Sequence, residues 1–285
     1  MISSRCEIKP NNWNLIRREQ IADKRFKNNA KPSSNRPPSH NSENLIEGRN
    51  PVLEAVKAGR PINKLLVSKN IGRHSVIGQI LHHARRNGIL VEHVDSRVIQ
   101  NLSSTGHSQG VVAMVATKDY VDLDYLLETS QLRTDLPLYI ILDGIEDPHN
   151  LGAVLRTADA AGAHGVIIPQ RRAVGLTAAV SRTSAGAVEY IPVARVRNIP
   201  QSIRHLQQVG VWTIGIDMAG DKSYTQADYR QPVALAIGAE GKGLSRLVKE
   251  RCDQIVSIPM KGQVASLNAS VAGALAMYEA VRQRS

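Results

Sequence analysis

The stretch from Ile258, IPMKGQVASLNASVAGALAMYEAV, sets Lys261, Gly262, Gln263, Ser266 and Asn268 between an apolar strand and a helix built from Ala, Gly and Val. Two other segments carry comparable polar groups. EDPHNLGAVLRTADAAG, from Glu146, holds Asn150, suited to an N-cap, Gly162, suited to a helix stop, and Arg156 in an otherwise small and apolar helix. AIGAEGKGLS, from Ala236, places Glu240 among three glycines, Gly238, Gly241 and Gly243, whose backbone can bend sharply and approach a ligand closely. Singly, each has an ordinary explanation: a surface arginine, a turn, a loop-capping acid. Ser266 is expected to cap the last helix, with Leu267, Val271, Leu275 and Tyr278 on one face. Ala269, Ala272, Gly273 and Ala276 make a second face that permits close packing, so this helix is expected to be buried against its own sheet and against another body.

The elements that must position these groups are strand-like runs at Leu138, Gly165, Tyr190, Val211, Val233 and Gln254, with helical runs between most of them. Near-continuous apolar strands with crossover helices predict an α/β fold with a mainly parallel sheet covered on both faces. Ligands of such sheets lie at the carboxyl ends of the strands, here the loops after Ile145, Asp217, Gly238 and Met260. Ahead of them a small α/β unit is expected over residues 44–117, with a helix at IEGRNPVLEAVKAG and strands at Ile62, Leu90 and Val111. Residues 118–136 form a polar, partly helical connection, and residues 137–285 form the main domain.

Two nucleotide-binding patterns fail on inspection. GIDMAGDKS has the glycine spacing of a phosphate-binding loop but Asp221 where the lysine must stand, and GAEGKGLS has its glycines in the wrong order for a dinucleotide turn. The two cysteines, Cys6 and Cys252, form neither a disulfide framework nor a zinc motif, so no metal is expected, and Cys252 reads as a small buried side chain. No apolar run is long enough to span a membrane and the N-terminus is polar, which predicts a soluble, cytoplasmic protein. Thirty-six Lys and Arg against 25 Asp and Glu give a net charge of +11, a balance that favours a polyanionic partner. Residues 1–43 carry nine basic and four acidic residues, a net of +5, and read either as a solvated tail or as an RNA-contacting arm. The segment from Lys31, KPSSNRPPSHNSEN, reads as a flexible linker.

Together the three loops resemble the three motifs of the SpoU (TrmH-type) RNA 2′-O-ribose methyltransferases. DPHNLGAVLRTADAAG resembles the first, with Asn150 and Arg156; ALAIGAEGKGLS the second, with Glu240; and IPMKGQVASLNASVAGALAMYE the third, with Ser266, Leu267 and Asn268. The small unit, through IEGRNPVLEAV and GHSQGVVA, is similar to the substrate-binding domain of RlmB-like enzymes that methylate a guanosine of 23S ribosomal RNA. The resemblance implies a SPOUT-type α/β trefoil knot in the C-terminal domain, a homodimer, S-adenosylmethionine as cofactor and ribosomal RNA as partner. It also implies catalytic roles for Asn150, Arg156, Glu240, Ser266 and Asn268. Gly238, Ile258 and Leu267 would surround the methyl donor, joined by Gly215 and the loop that follows it. A tRNA substrate and a catalytically silent RNA-binding protein are the alternatives.

Overall fold

The computed structural model describes residues 45–285 apart from 73, 104, 105 and 117. The basic arm lies outside the described residues. In the small unit the chain runs β1 (Leu45–Glu47), α1 (Arg49–Lys57), β2 (Ile62–Ser68), α2 (Ser75–Arg86), β3 (Val91–Val94), α3 (Ser96–Leu102) and β4 (Val111–Val115). The strands order as β1-β4-β2-β3, with β1 and β2 antiparallel to β4 and β2 parallel to β3. Period-two burial gives this sheet two cores. Leu65, Val67, Val111 and Ala113 pack under α1 and α2, while Leu66 and Val112 pack under α3 through Ile99. The sequence reading missed β1, which is only three residues long and is held by its pairing with β4 rather than by any pattern of its own.

After α4 (Leu123–Ser130) the chain forms β5 (Leu138–Asp143), α5 (Pro148–Ala160), β6 (Gly165–Pro169), α6 (Ala178–Thr183), β7 (Val193–Val196), α7 (Ile199–Gln208), β8 (Trp212–Ile216), β9 (Lys222–Ser223), β10 (Val233–Gly238), α8 (Arg246–Lys249), β11 (Gln254–Ser257) and α9 (Ala269–Arg284). All pairings in the seven-stranded sheet β7-β6-β5-β10-β8-β11-β9 are parallel. Leu138, Ile140 and Leu142 face the core shared with α5 and α9, and Tyr139 and Ile141 face the opposite core with α4 and α7. The expected α/β fold with a mainly parallel sheet is therefore the fold observed. The last helix is anchored at its far end by Arg284, which donates to the carbonyls of Tyr229, Gln231, Leu136 and Pro137.

One connection is unusual. Strands β8 and β9 are separated by only residues 217–221, yet β11 lies between them in the sheet. The loop crosses the carboxyl end of β11 so closely that a Cβ at Gly220 would overlap the Val256–Ser257 backbone. Glycine is required there by contact, not by dihedral angle.

The small unit is docked on the large sheet's domain through charge. Glu189, with a side chain only 1% exposed, accepts from Arg60 Nη1 at 2.5 Å, and its backbone carbonyl accepts from Lys118 Nζ at 3.0 Å. Beside it Tyr190 Oη donates to Glu54 Oε2 at 2.5 Å. Burial lowers the Lys118 pKa despite the neighbouring carboxylate.

Candidate active site at the carboxyl edge

Asn268 joins the three loops. Its Oδ1 accepts from the Ser270 amide at 2.9 Å, the Val271 amide at 3.4 Å and the Ser270 hydroxyl at 2.6 Å, which caps α9. Its Nδ2 then points outward, donating to Asn150 Oδ1 at 2.8 Å and Glu240 Oε2 at 3.4 Å. One amide thus links the first turn of α5, the glycine loop after β10 and the start of α9. Asn150 is 8% exposed, so its position is set by packing as well as by this bond.

Two expected caps are corrected. Helix α5 is capped by Asp147, whose Oδ1 accepts from the His149 amide at 3.1 Å, because Pro148 opens the first turn one residue later and carries Asn150 into the helix. Helix α9 is capped by Asn268 and not by Ser266, since residues 258–268 remain irregular. Freed from capping, Ser266 lines a cleft.

That cleft opens at the carboxyl ends of β8, β10 and β11. Gly238, Ile258 and Leu267 line it, as do Glu240 and Ser266, over a floor of Ala269 and Ala272. Glycine-rich backbone and apolar side chains such as Ile237, Ile258 and Leu267 share its walls with the charged Asp217, Glu240, Lys242 and Lys249, a mixed lining that suits a ligand with both an apolar and a charged part. Gly215 does not line it. That residue lies inside β8, where a Cβ would meet Ile255 Cδ1 at 2.6 Å and Leu244 Cδ1 at 2.8 Å, whereas Ile216, Asp217 and Met218 after it do reach the cleft.

Asp217 organises this end of the cleft and was missed in the sequence. Its carboxylate accepts from the Leu244 amide at 3.0 Å, the Ala219 amide at 3.1 Å and Lys249 Nζ at 2.8 Å. Burial works to raise its pKa, but Lys249 and the two amides outweigh that and hold the carboxyl below its usual range. Asp143, at the end of β5, likewise accepts from the Ser245 amide at 2.7 Å. An acidic residue closing a buried apolar strand, as in YIILDG and TIGIDM, was the available signal. Cys252 is half-buried with its thiol pushed up to about 12 by burial, which makes it chemically quiet.

Gly238 is required by its own loop. A Cβ there would overlap the backbone of Gly243 and Leu244, which fold back through the Gly243 amide to the Ala239 carbonyl at 2.9 Å. Gly238→Val is therefore expected to displace the 239–244 loop and abolish binding at the cleft, and to lower stability by about 1–3 kcal/mol as an overpacked site does. Calorimetric titration with S-adenosylmethionine alongside chemical denaturation checks this; a variant with wild-type stability would show that the loop accommodates the side chain.

Arg156 stands apart. It is exposed, and among the described residues no hydrogen bond or ion pair holds it. Six residues along α5 from Asn150, it lies about 120° round the helix and about 9 Å further along it. The cluster side of α5, with Ala153 and Thr157, continues into an open strip with Val271, Leu275 and Tyr278 of α9, which are 47%, 39% and 52% exposed. The opposite, small-residue side of α9 packs on its own sheet, where a Cβ at Gly273 would meet Ile237 Cδ1 at 2.5 Å. Among the described residues no helix is long and apolar enough to cross a membrane, and no cluster of three or more His, Cys, Asp or Glu is arranged to hold a metal ion.

Comparison with known proteins bears on this arrangement. The SpoU rRNA methylase family matches residues 137–278, and the RNA 2′-O ribose methyltransferase substrate-binding family matches residues 45–121. A Bacillus subtilis protein named for the TrmH tRNA/rRNA methyltransferase family is 44% identical over 239 residues, 84% of this chain and 95% of the relative. A Staphylococcus saprophyticus protein of the same description is 46% identical over 242 residues, 85% and 96% of the two chains. Among solved structures, the SpoU methyltransferase AviRb of Streptomyces viridochromogenes in complex with AdoMet superposes with a TM-score of 0.71 at 30% identity, covering 84% of this chain and 89% of that one. An AdoMet-bound rRNA methyltransferase of Sinorhizobium meliloti superposes at 0.69 with 29% identity, covering 84% and 86%. With its three motif loops joined at Asn268 and a substrate-binding unit ahead of them, the chain belongs to the SpoU family of RNA 2′-O-ribose methyltransferases.

Proposed function

We propose that the protein binds S-adenosylmethionine in the cleft over Ala269 and Ala272 and methylates a ribose 2′-hydroxyl of ribosomal RNA, a guanosine of 23S rRNA, in the cytoplasm. The observation that carries this reading is the Asn268 junction, which ties Asn150 and Asn268 to Glu240, itself part of the cleft lining. When bound, the cofactor supplies an electrophilic methyl group on a sulfonium. Gly238, Ile258 and Leu267 hold it, while Asn150 and Asn268 orient the ribose and Glu240 keeps the Asn268 amide turned toward them. Ser266 lies beside the reacting groups. The planar guanidinium of Arg156 presents donors and no acceptor, so its role is to fork onto the RNA phosphate and position the hydroxyl, whose proton that phosphate helps to accept.

The separation of Arg156 from the Asn150–Asn268 pair supports a homodimer. Two copies meeting on the apolar strip of α5 and α9 would cover Val271, Leu275 and Tyr278 and set the arginine of one beside the cleft of the other. The loop crossing the end of β11 supports a trefoil knot. We assign residues 1–43 to a basic extension, 44–117 to the substrate-binding domain, 118–136 to a linker and 137–285 to the methyltransferase domain.

Calorimetric titration with S-adenosylmethionine and with ATP tests the cofactor, and mapping of 2′-O-methyl groups in RNA from a deletion strain tests the substrate. Binding of ATP alone would sink the reading, and a missing methyl in tRNA would move the target to tRNA. Removal of residues 1–43 is expected to leave cofactor affinity unchanged and to weaken RNA binding with a shallower salt dependence, because it removes a net charge of +5. An unaltered salt slope would make the arm a passive tail.

A further inference from the structure

The proposed function leaves open how RNA held by the small unit reaches the cleft. The segment between β6 and α6, residues 170–177, lies on that route. It begins at the carboxyl end of β6, on the same sheet edge as the Asn268 junction, and it leads into α6, which packs against β1 and α1 of the small unit. Three bonds pin it. The Gln170 amide donates to the Val196 carbonyl at 2.8 Å and the Val174 amide to the Ile145 carbonyl, in the loop before α5, at 3.1 Å. The Leu176 amide donates to the hydroxyl of Tyr120, in the connection from the small unit, at 2.9 Å. The Tyr120 ring in turn lies 5.0 Å from the Arg195 guanidinium, which donates to the Gln170 carbonyl at 3.2 Å.

On this fixed platform stand Arg171 and Arg172, both exposed and, among the described residues, without an ion pair or hydrogen-bond partner. Arg197, just past the end of β7, is exposed on the same edge and, among the described residues, has no ion pair. Arg172 has a φ of 57°, a left-handed conformation that an arginine adopts at a cost unless its surroundings impose it. Arg172 thus holds a left-handed backbone at an exposed position where, among the described residues, no partner meets its guanidinium. Glu146 and Asp147, in the loop between β5 and α5, are acidic residues of the same sheet edge.

We propose that Arg171, Arg172 and Arg197 form a phosphate-gripping strip that carries the RNA backbone along the sheet edge from the small unit to the cleft. This rests on the RNA methyltransferase reading, and it adds the path the substrate takes. Arginine forks suit backbone phosphates and read no base, so the strip supplies affinity and register, not sequence preference.

The test compares two charge-matched pairs in the full chain. Arg171→Glu/Arg172→Glu alters the strip; Arg230→Glu/Arg251→Glu alters two exposed arginines that precede β10 and β11 at the opposite edge of the same sheet. Filter retention of labelled protein-free 23S rRNA, and separately of bulk tRNA, is measured across salt concentrations without cofactor. Loss of the strip is expected to raise the dissociation constant at least about tenfold at 0.15 M salt and to reduce the salt slope by about two, while the control pair changes both far less. The milder Arg171→Gln/Arg172→Asn and Arg197→Gln variants should show the same order at smaller size, and S-adenosylmethionine titration reports that the cleft remains folded. Equal losses in the two pairs, or an unchanged slope in the strip variants, would overturn the proposal. RNA retention through the strip without any methyl transfer would instead sink the transferase reading and leave the strip standing.

Discussion

Arg156→Lys is expected to lose nearly as much methyl transfer as Arg156→Ala, with both falling about 100- to 1,000-fold at saturating RNA, the range seen when a positioned donor is removed from a reacting group. The reason is geometric. Lysine keeps the charge but replaces a planar fork with a single ammonium, which cannot hold a phosphate and a ribose oxygen in a fixed relation. Among the described residues the side chain has no partner, so neither variant breaks a contact among them, and stability should stay within about 0.5 kcal/mol of the parent. Cofactor affinity should also persist, because the cleft is built from the loops after β8, β10 and β11 and excludes Arg156. Single-turnover transfer with labelled cofactor checks the expectation. A lysine variant with most of the parental rate would mean that positive charge alone suffices.

Asn268→Ala should damage both stability and chemistry. It removes the cap of α9, worth about 1 kcal/mol, and leaves the buried Asn150 carbonyl without its donor, for a total of about 2–3 kcal/mol. Methyl transfer should fall about 100-fold, since the three loops lose their common bond. Asn268→Asp separates the two effects. An aspartate can still accept from the Ser270 and Val271 amides and suits a helix N-terminus, so the cap and its share of the stability should survive. It cannot donate to Asn150, and its charge stands beside Glu240. Transfer should therefore remain near the alanine level in a protein about 1 kcal/mol more stable than the alanine variant. An aspartate variant that is both stable and active would reduce Asn268 to a capping residue and remove the junction from the mechanism.

The same residues show where sequence reasoning stops. Asn150, Glu240 and Asn268 stand out as polar groups in small-residue surroundings, and their segments were legible as three related loops. What each side chain bonds was not. Asn150 looked like a cap because an asparagine before an apolar run ordinarily is one, but Pro148 moved the helix start to Asp147. Ser266 looked like a cap for the same reason, and the irregular backbone through residue 268 gave that role to Asn268. Capping is a competition among nearby side chains for a few free amides, and the winner depends on where the first helical dihedral falls.

By itself the sequence determined that apolar runs from Leu138 onward form strands, that helices cross between them, and that the functional loops gather at one sheet edge. Those follow from periodicity, because burial on two faces leaves its mark on each strand separately. Only the tertiary structure decided that β11 enters between β8 and β9, that Gly220 and Gly238 are needed for backbone contact, that Asp217 ties two loops together, and that Arg156 faces away from the Asn268 junction. Strand order, loop crossing and the mutual orientation of side chains are properties of pairs of distant segments. A hydrophobic pattern records whether a residue is covered, and it carries no information about which neighbour does the covering.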